Sequence, residues 1–102
     1  MAFRAFNTAR AQHIALQHGC ELQLQVDRAS VYVAWIGRDT GEQGAGETVL
    51  RAVCKLAASS GRRVELVAMC GRPRLVAFYE RLGFALTGQG DAGGPLMVWE
   101  AA

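Results

Sequence analysis

No stretch of this 102-residue chain approaches the run of roughly 20 apolar residues that spans a bilayer. Met1 to Arg10 carries arginines, but no apolar segment of a secretion signal follows them. Cysteines are few, an odd number and far apart: Cys20, Cys54 and Cys70, with no CxxC pair. That fits free thiols in a reducing, cytoplasmic setting better than a disulfide scaffold. No His, Cys, Asp and Glu spacing has the form of a metal site. Charge of one sign is also missing. A formal net charge of +2 leaves no electrostatic footprint for nucleic acid. The arginines at Arg62, Arg63, Arg72, Arg74 and Arg81 come without an aromatic platform, and read as a solvated rim or as a site for anionic groups.

What is present is ordinary globular composition, 51% hydrophobic and 20% charged, enough for one core and one domain over residues 1–102. There is no repeat and no long linker. Residues 1–19 form a distinct N-terminal segment and 20–102 the main body. Met1 to Phe6 reads as a short edge strand. Thr8 to His18 reads as a helix capped by Asn7 or Thr8 and stopped at Gly19. Cys20 to Asp27 alternates strictly, with Cys20, Leu22, Leu24 and Val26 on one face and polar residues on the other, the pattern of a half-buried strand. Val31 to Ile36 is apolar on both faces and predicts a central strand, joined to the first by a hairpin.

Gly37 to Gln43 is polar and glycine-rich, hence a loop. From Gly44 to Ser60, apolar residues Val49, Leu50, Val53, Cys54, Leu56 and Ala57 recur at helical spacing, up to Gly61. Val64 to Met69 predicts a second buried strand. Strand, helix and strand in that order favour parallel pairing through a right-handed crossover. Pro73 opens a third helix, which Gly83 ends. Phe84 to Thr87 and Leu96 to Trp99 predict closing strands. The fold class is α/β or α+β, a mixed, mostly antiparallel sheet with helices on both faces. Trp35 and Trp99 are expected in the core.

Two motifs carry chemistry. Gly44-Ala45-Gly46 stands between a strand and a helix, where glycines admit close approach and unpaired N–H groups attract phosphate. Some thirty residues later comes Phe78-Tyr79-Glu80-Arg81-Leu82-Gly83-Phe84, an aromatic helix end. In this order the chain, from about Leu22 onward, resembles the GCN5-related N-acetyltransferase (GNAT) superfamily. Its Arg/Gln-x-x-Gly-x-Gly/Ala loop is matched by Gly41-Glu42-Gln43-Gly44-Ala45-Gly46, with Gly41 in place of Arg or Gln.

The resemblance implies an acetyl-coenzyme A-dependent N-acetyltransferase. Its central parallel pair would splay to admit the pantetheine arm along the backbone of Trp35, Ile36 and Gly37. The diphosphate would lie on Gln43, Gly44, Ala45, Gly46 and Glu47, with Arg38 in reach. Tyr79 would be the catalytic acid that protonates the departing thiolate. A non-catalytic acyl-coenzyme A binding or protein-interaction module is the alternative. Val31 to Gly37 has no carboxylate to act as a base. Glu21, Glu65, His13, His18 and Tyr32 are the remaining candidates, and Cys70 would serve only in a thioester route. Members of the family carry more wall before the hairpin, so the resemblance implies an open acceptor site. Such a site suits a protein lysine or N-terminus, or a cleft shared across a homodimer.

Overall fold

A computed structural model describes residues 5–38, 44–68, 73–90 and 94–101. The first helix, α1, covers Thr8–Gln17, and Asn7 caps it by accepting from the Arg10 N–H at 2.9 Å. Its buried residues are Ala11 and Ala15, one turn apart, so small side chains let it lie close to the following strand. There the Gln12 amide donates to the carbonyl of Leu22 at 2.8 Å.

Strands β1 (Cys20–Val26) and β2 (Ser30–Arg38) form the antiparallel hairpin, and helix α2 (Ala45–Ser59) leads to β3 (Arg63–Val67). Helix α3 (Pro73–Arg81), β4 (Ala85–Gln89) and β5 (Pro95–Trp99) complete the order. The five strands lie as β1-β2-β3-β5-β4, with β2 and β3 parallel and the other neighbours antiparallel. This is the expected mixed sheet around a central parallel pair. The expected edge strand at Met1 to Phe6 is not seen at Ala5 and Phe6, and its other residues lie outside the described ones. Phe6 instead buries its ring in the core.

The core occupies one face of the sheet. Val31, Val33, Val64, Leu66 and Met97 line that face, and Val49, Leu50, Val53, Cys54 and Ala57 of α2 cover it. Each fully buried aliphatic side chain contributes about 1.5–3 kcal/mol. The crossovers β2–α2–β3 and β3–α3–β4 step the same way across the sheet, so right-handed connections bring α2 and α3 to the same side. Helix α1 packs on α2, so the described helices gather on that face. On the other, Tyr32, Glu65, Val67, Leu96 and Val98 are only partly buried.

A bulge in β2 decides which side chains reach the core. Gln23 pairs with Trp35 but Leu24 pairs with Val33, which leaves Ala34 as an extra residue. Beyond it the alternation changes phase. Ile36 joins Leu22 on the core side, and Trp35 moves to the open face, where it is 47% exposed. The core position expected for Trp35 is therefore corrected, because strict alternation ignores the inserted residue. Arg62 also departs from expectation. It is 9% exposed, not a solvated rim residue, and its Nε donates to the Asp27 carbonyl at 2.6 Å.

Candidate functional site

The ladder between β2 and β3 stops early. It runs from Ser30–Arg63 to Val33–Leu66 and no further, although β2 continues to Arg38. Beyond that point each strand stays paired on its outer side. Trp35 to Arg38 remain opposite Gln23 to Cys20 of β1, while Val67 pairs with Leu96 and the Ala68 N–H donates to Pro95 at 2.9 Å. Two strands held by outer neighbours and free of each other must part, and their inner backbone groups face a gap.

A cleft of about 410 Å³ occupies this gap, bordered by Ala34, Trp35, Ile36, Val67, Leu75 and Tyr79, among others. A smaller hollow of about 120 Å³ lies against it, between Ile36 and Gly37 of β2, Gly46 and Leu50 of α2, and Phe78 and Tyr79 of α3. Ile36 and Tyr79 border both.

The smaller hollow reaches the start of α2. Gly44 caps that helix with φ of 91°, a left-handed conformation that suits glycine, and no side chain caps the helix. The first intrahelical bond is Thr48 N–H to Gly44 O at 3.1 Å, so the N–H groups of Ala45, Gly46 and Glu47 are not used within the helix. A Cβ at Gly46 would meet nothing within 4 Å. Bare N–H groups, the positive end of the helix and open space make a place for an anion. Glu47 spends its carboxylate on Arg51, 3.2 Å away, which leaves its main-chain N–H as its contribution.

Tyr79 stands at the junction on α3. Its ring packs edge-on against Phe78 at 5.3 Å and Phe84 at 5.9 Å. Its carbonyl, accepting from Leu82 and Phe84, ends the helix. Burial pushes its phenol above the ordinary tyrosine range, because the charged phenolate is poorly solvated there. It is also the only ionisable group among the described residues that border either hollow.

No protein-family model matches the sequence, and no curated protein does. Solved structures do match. The crystal structure of an acetyltransferase aligns with a TM-score of 0.62 at 22% identity, over 78% of this chain and 46% of its own. The ribosomal-protein-S18-alanine N-acetyltransferase of Escherichia coli aligns with a TM-score of 0.63 at 19% identity, over 82% and 64%. This is the GNAT fold. Arabidopsis thaliana Naa50, in complex with the bisubstrate analogue CoA-Ac-MVNAL, aligns with a TM-score of 0.58 at 18% identity, over 81% of this chain and 62% of its own. The chain thus spans about half to two thirds of the length of these GNAT structures.

Within this GNAT fold, Trp35, Ile36, Gly37, Gly46 and Tyr79 border the two hollows, and Gly44, Ala45 and Glu47 form the adjoining start of α2. Arg38 closes β2 opposite Cys20. Gln43, Gly41, Cys70 and Arg72 lie outside the described residues. The candidate bases are elsewhere. His13 and His18 are exposed, Glu65 is bound to Arg63 at 2.6 Å, and Tyr32 stands beside Glu65 below the gap. Glu21 stands opposite Gly37 at the edge of the site. Among the described residues no cluster could hold a metal ion, and no helix is long and apolar enough to cross a membrane.

Proposed function

We propose that this chain is an acetyl-coenzyme A-dependent N-acetyltransferase whose acceptor is a primary amine. One observation carries the reading. The gap between β2 and β3 adjoins an uncapped helix start, and among the described residues Tyr79 is the one ionisable group that borders both spaces. A long ligand with an extended amide-bearing arm and a diphosphate fits that sequence of environments.

In this reading the arm bonds to the freed backbone of Trp35, Ile36 and Gly37. The diphosphate lies on the N–H groups of Ala45, Gly46 and Glu47, with Gly44 setting their direction. Arg38 and Gln43, which flank this stretch in sequence, are proposed as further phosphate ligands. The acceptor nitrogen attacks the thioester carbonyl and forms the new C–N bond. As the tetrahedral centre collapses, the C–S bond breaks and the thiolate takes the Tyr79 proton. The amine releases its surplus proton to solvent, and the phenolate regains one from it. With no carboxylate or imidazole among the described bordering residues, the amine must arrive neutral. That favours a peptide α-amine, with a pKa near 8, over a lysine amine near 10.4. The buried thiol of Cys54 suits a reducing compartment such as the cytoplasm.

Calorimetry with acetyl-coenzyme A, followed by thiol release with a panel of peptides and amines, tests the proposal. Binding and amine-dependent release are expected. No binding heat at high protein concentration removes the reading, whatever the fold.

A further inference from the structure

Trp35 is a large aromatic residue left on the open face at the mouth of a cleft. Its indole lies over the backbone of Gly37, so closely that a Cβ there would come within 2.9 Å of the Nε1 and Cζ2 atoms. Only glycine admits that stacking without displacing the ring. The indole is nonetheless 47% exposed, and it also borders the cleft. Directly across from Gly37 stands Glu21, on the same open face of β1 and exposed. Cross-strand neighbours have Cβ atoms about 5 Å apart. The Glu21 carboxylate therefore projects beside the ring that covers Gly37. No described residue forms a salt bridge with Glu21. Glu65, on the same face, is paired with Arg63.

We propose that Trp35 and Glu21 form a subsite for a positively charged side chain, so that the acceptor is a peptide amine with a lysine or arginine close behind it. The inference rests on the acetyltransferase reading and deepens it by naming the acceptor's chemistry. An exposed indole face attracts a cation through its quadrupole, and a carboxylate beside it adds charge complementarity. An extended peptide rises about 3.3 Å per residue. With its amine at the gap, its next residues pass over Trp35 towards Glu21. The cofactor arm uses the inner backbone edge of β2 and the acceptor the outer face of the indole, so one residue serves both without conflict.

The experiment uses the full chain with acetyl-coenzyme A and matched short peptides, identical except for lysine or glutamine at the second and third positions. The lysine peptides are expected to show a three- to tenfold higher kcat/KM, an advantage that shrinks with added salt. Glu21→Gln and Trp35→Leu are each expected to reduce that ratio towards one. Gly37→Ala, which displaces the indole without removing it, is expected to reduce it as well. A ratio of one in the wild type, or a ratio that Glu21→Gln leaves in place, overturns the inference while the acetyltransferase reading stands. Binding is read separately. In a Trp99→Phe background Trp35 is the only tryptophan, and its fluorescence is expected to respond to the lysine peptide at lower concentration than to the glutamine peptide. That response without turnover of any amine keeps the subsite and removes the activity. Equal response to both peptides overturns the subsite.

Discussion

Ile36 and Tyr79 each border both hollows of the site, one from the strand that parts from β3 and one from helix α3. The strand gap and the helix start therefore adjoin at these two side chains. A ligand passing from one to the other must run between an apolar side chain and a phenol whose proton is held more tightly than usual.

The two glycines at the start of α2 are expected to separate folding from binding. Gly44 has φ of 91°, where alanine costs about 1–2 kcal/mol, so Gly44→Ala lowers stability. Gly46 is helical with open space around it, so Gly46→Ala is neutral or stabilising by up to about 1 kcal/mol. The same methyl group stands where a diphosphate would approach, and acetyl-coenzyme A affinity is expected to fall by about tenfold. Urea denaturation and calorimetry read the two effects. Weaker folding with unchanged affinity in Gly46→Ala contradicts the placement of the diphosphate.

Much of this was legible in the chain. Helix α2 repeats its apolar residues at the helical period, and β1 alternates between Cys20, Leu22 and Leu24, so both elements announce their buried faces locally. Ala34 does not announce a bulge, because a bulge is a property of two paired strands and not of one. Trp35 was misplaced for that reason. The role of Arg62 was hidden for a similar one, since its acceptor at Asp27 lies 35 residues away. The helix start that faces the site came from local glycines. Tyr79 came from a resemblance, because nothing in its spacing distinguishes an acid from a packed aromatic ring.

Arg62 is expected to act on stability alone. Its Nε donates to the Asp27 carbonyl, and its Nη1 reaches the Ser60 carbonyl at 3.4 Å, tying the β1–β2 turn to the α2–β3 connection. Arg62→Ala leaves a buried carbonyl at Ser60 and a part-buried one at Asp27 without these donors and is expected to cost about 2–3 kcal/mol. Urea midpoints measure the loss. Acetyl-coenzyme A affinity, taken where the variant is folded, is expected to stay within twofold. A large loss of affinity with full stability would return Arg62 to the anion-binding role.

Cys54 gives the fold an alkaline limit. Desolvation pushes its thiol up to about 12 from 9.0, against a smaller lowering by Arg51. The folded state holds the proton more tightly than the unfolded chain. Stability from this group is thus fully present below about pH 9 and is lost as pH rises towards 12. The loss is on the order of 4 kcal/mol at the upper end. Denaturation at pH 8, 9.5 and 11 should show a steeper fall in the wild type than in Cys54→Ala. Parallel curves would mean that the thiol ionises as freely in the folded protein as in the unfolded one.

Tyr79→Phe removes the proton and keeps the ring, so packing against Phe78 and Phe84 survives. If the phenol delivers its proton to the departing thiolate, kcat is expected to fall by about 10²–10⁴ while the acetyl-coenzyme A dissociation constant changes little. The pH profile provides the second check. Because burial raises the Tyr79 pKa, the wild-type enzyme should keep its acid protonated up to and beyond pH 10, and lose activity only above that. The limb on the acid side belongs to the acceptor amine, which attacks only when neutral, and it should move with the acceptor's own pKa. In Tyr79→Phe the acid-side limb remains, because the amine is unaltered, while the fall above pH 10 disappears from the residual rate. An unchanged kcat, or an alkaline limb that persists in the variant at pH values where circular dichroism shows it folded, assigns the proton to another donor and leaves Tyr79 as the apolar wall that joins the two hollows.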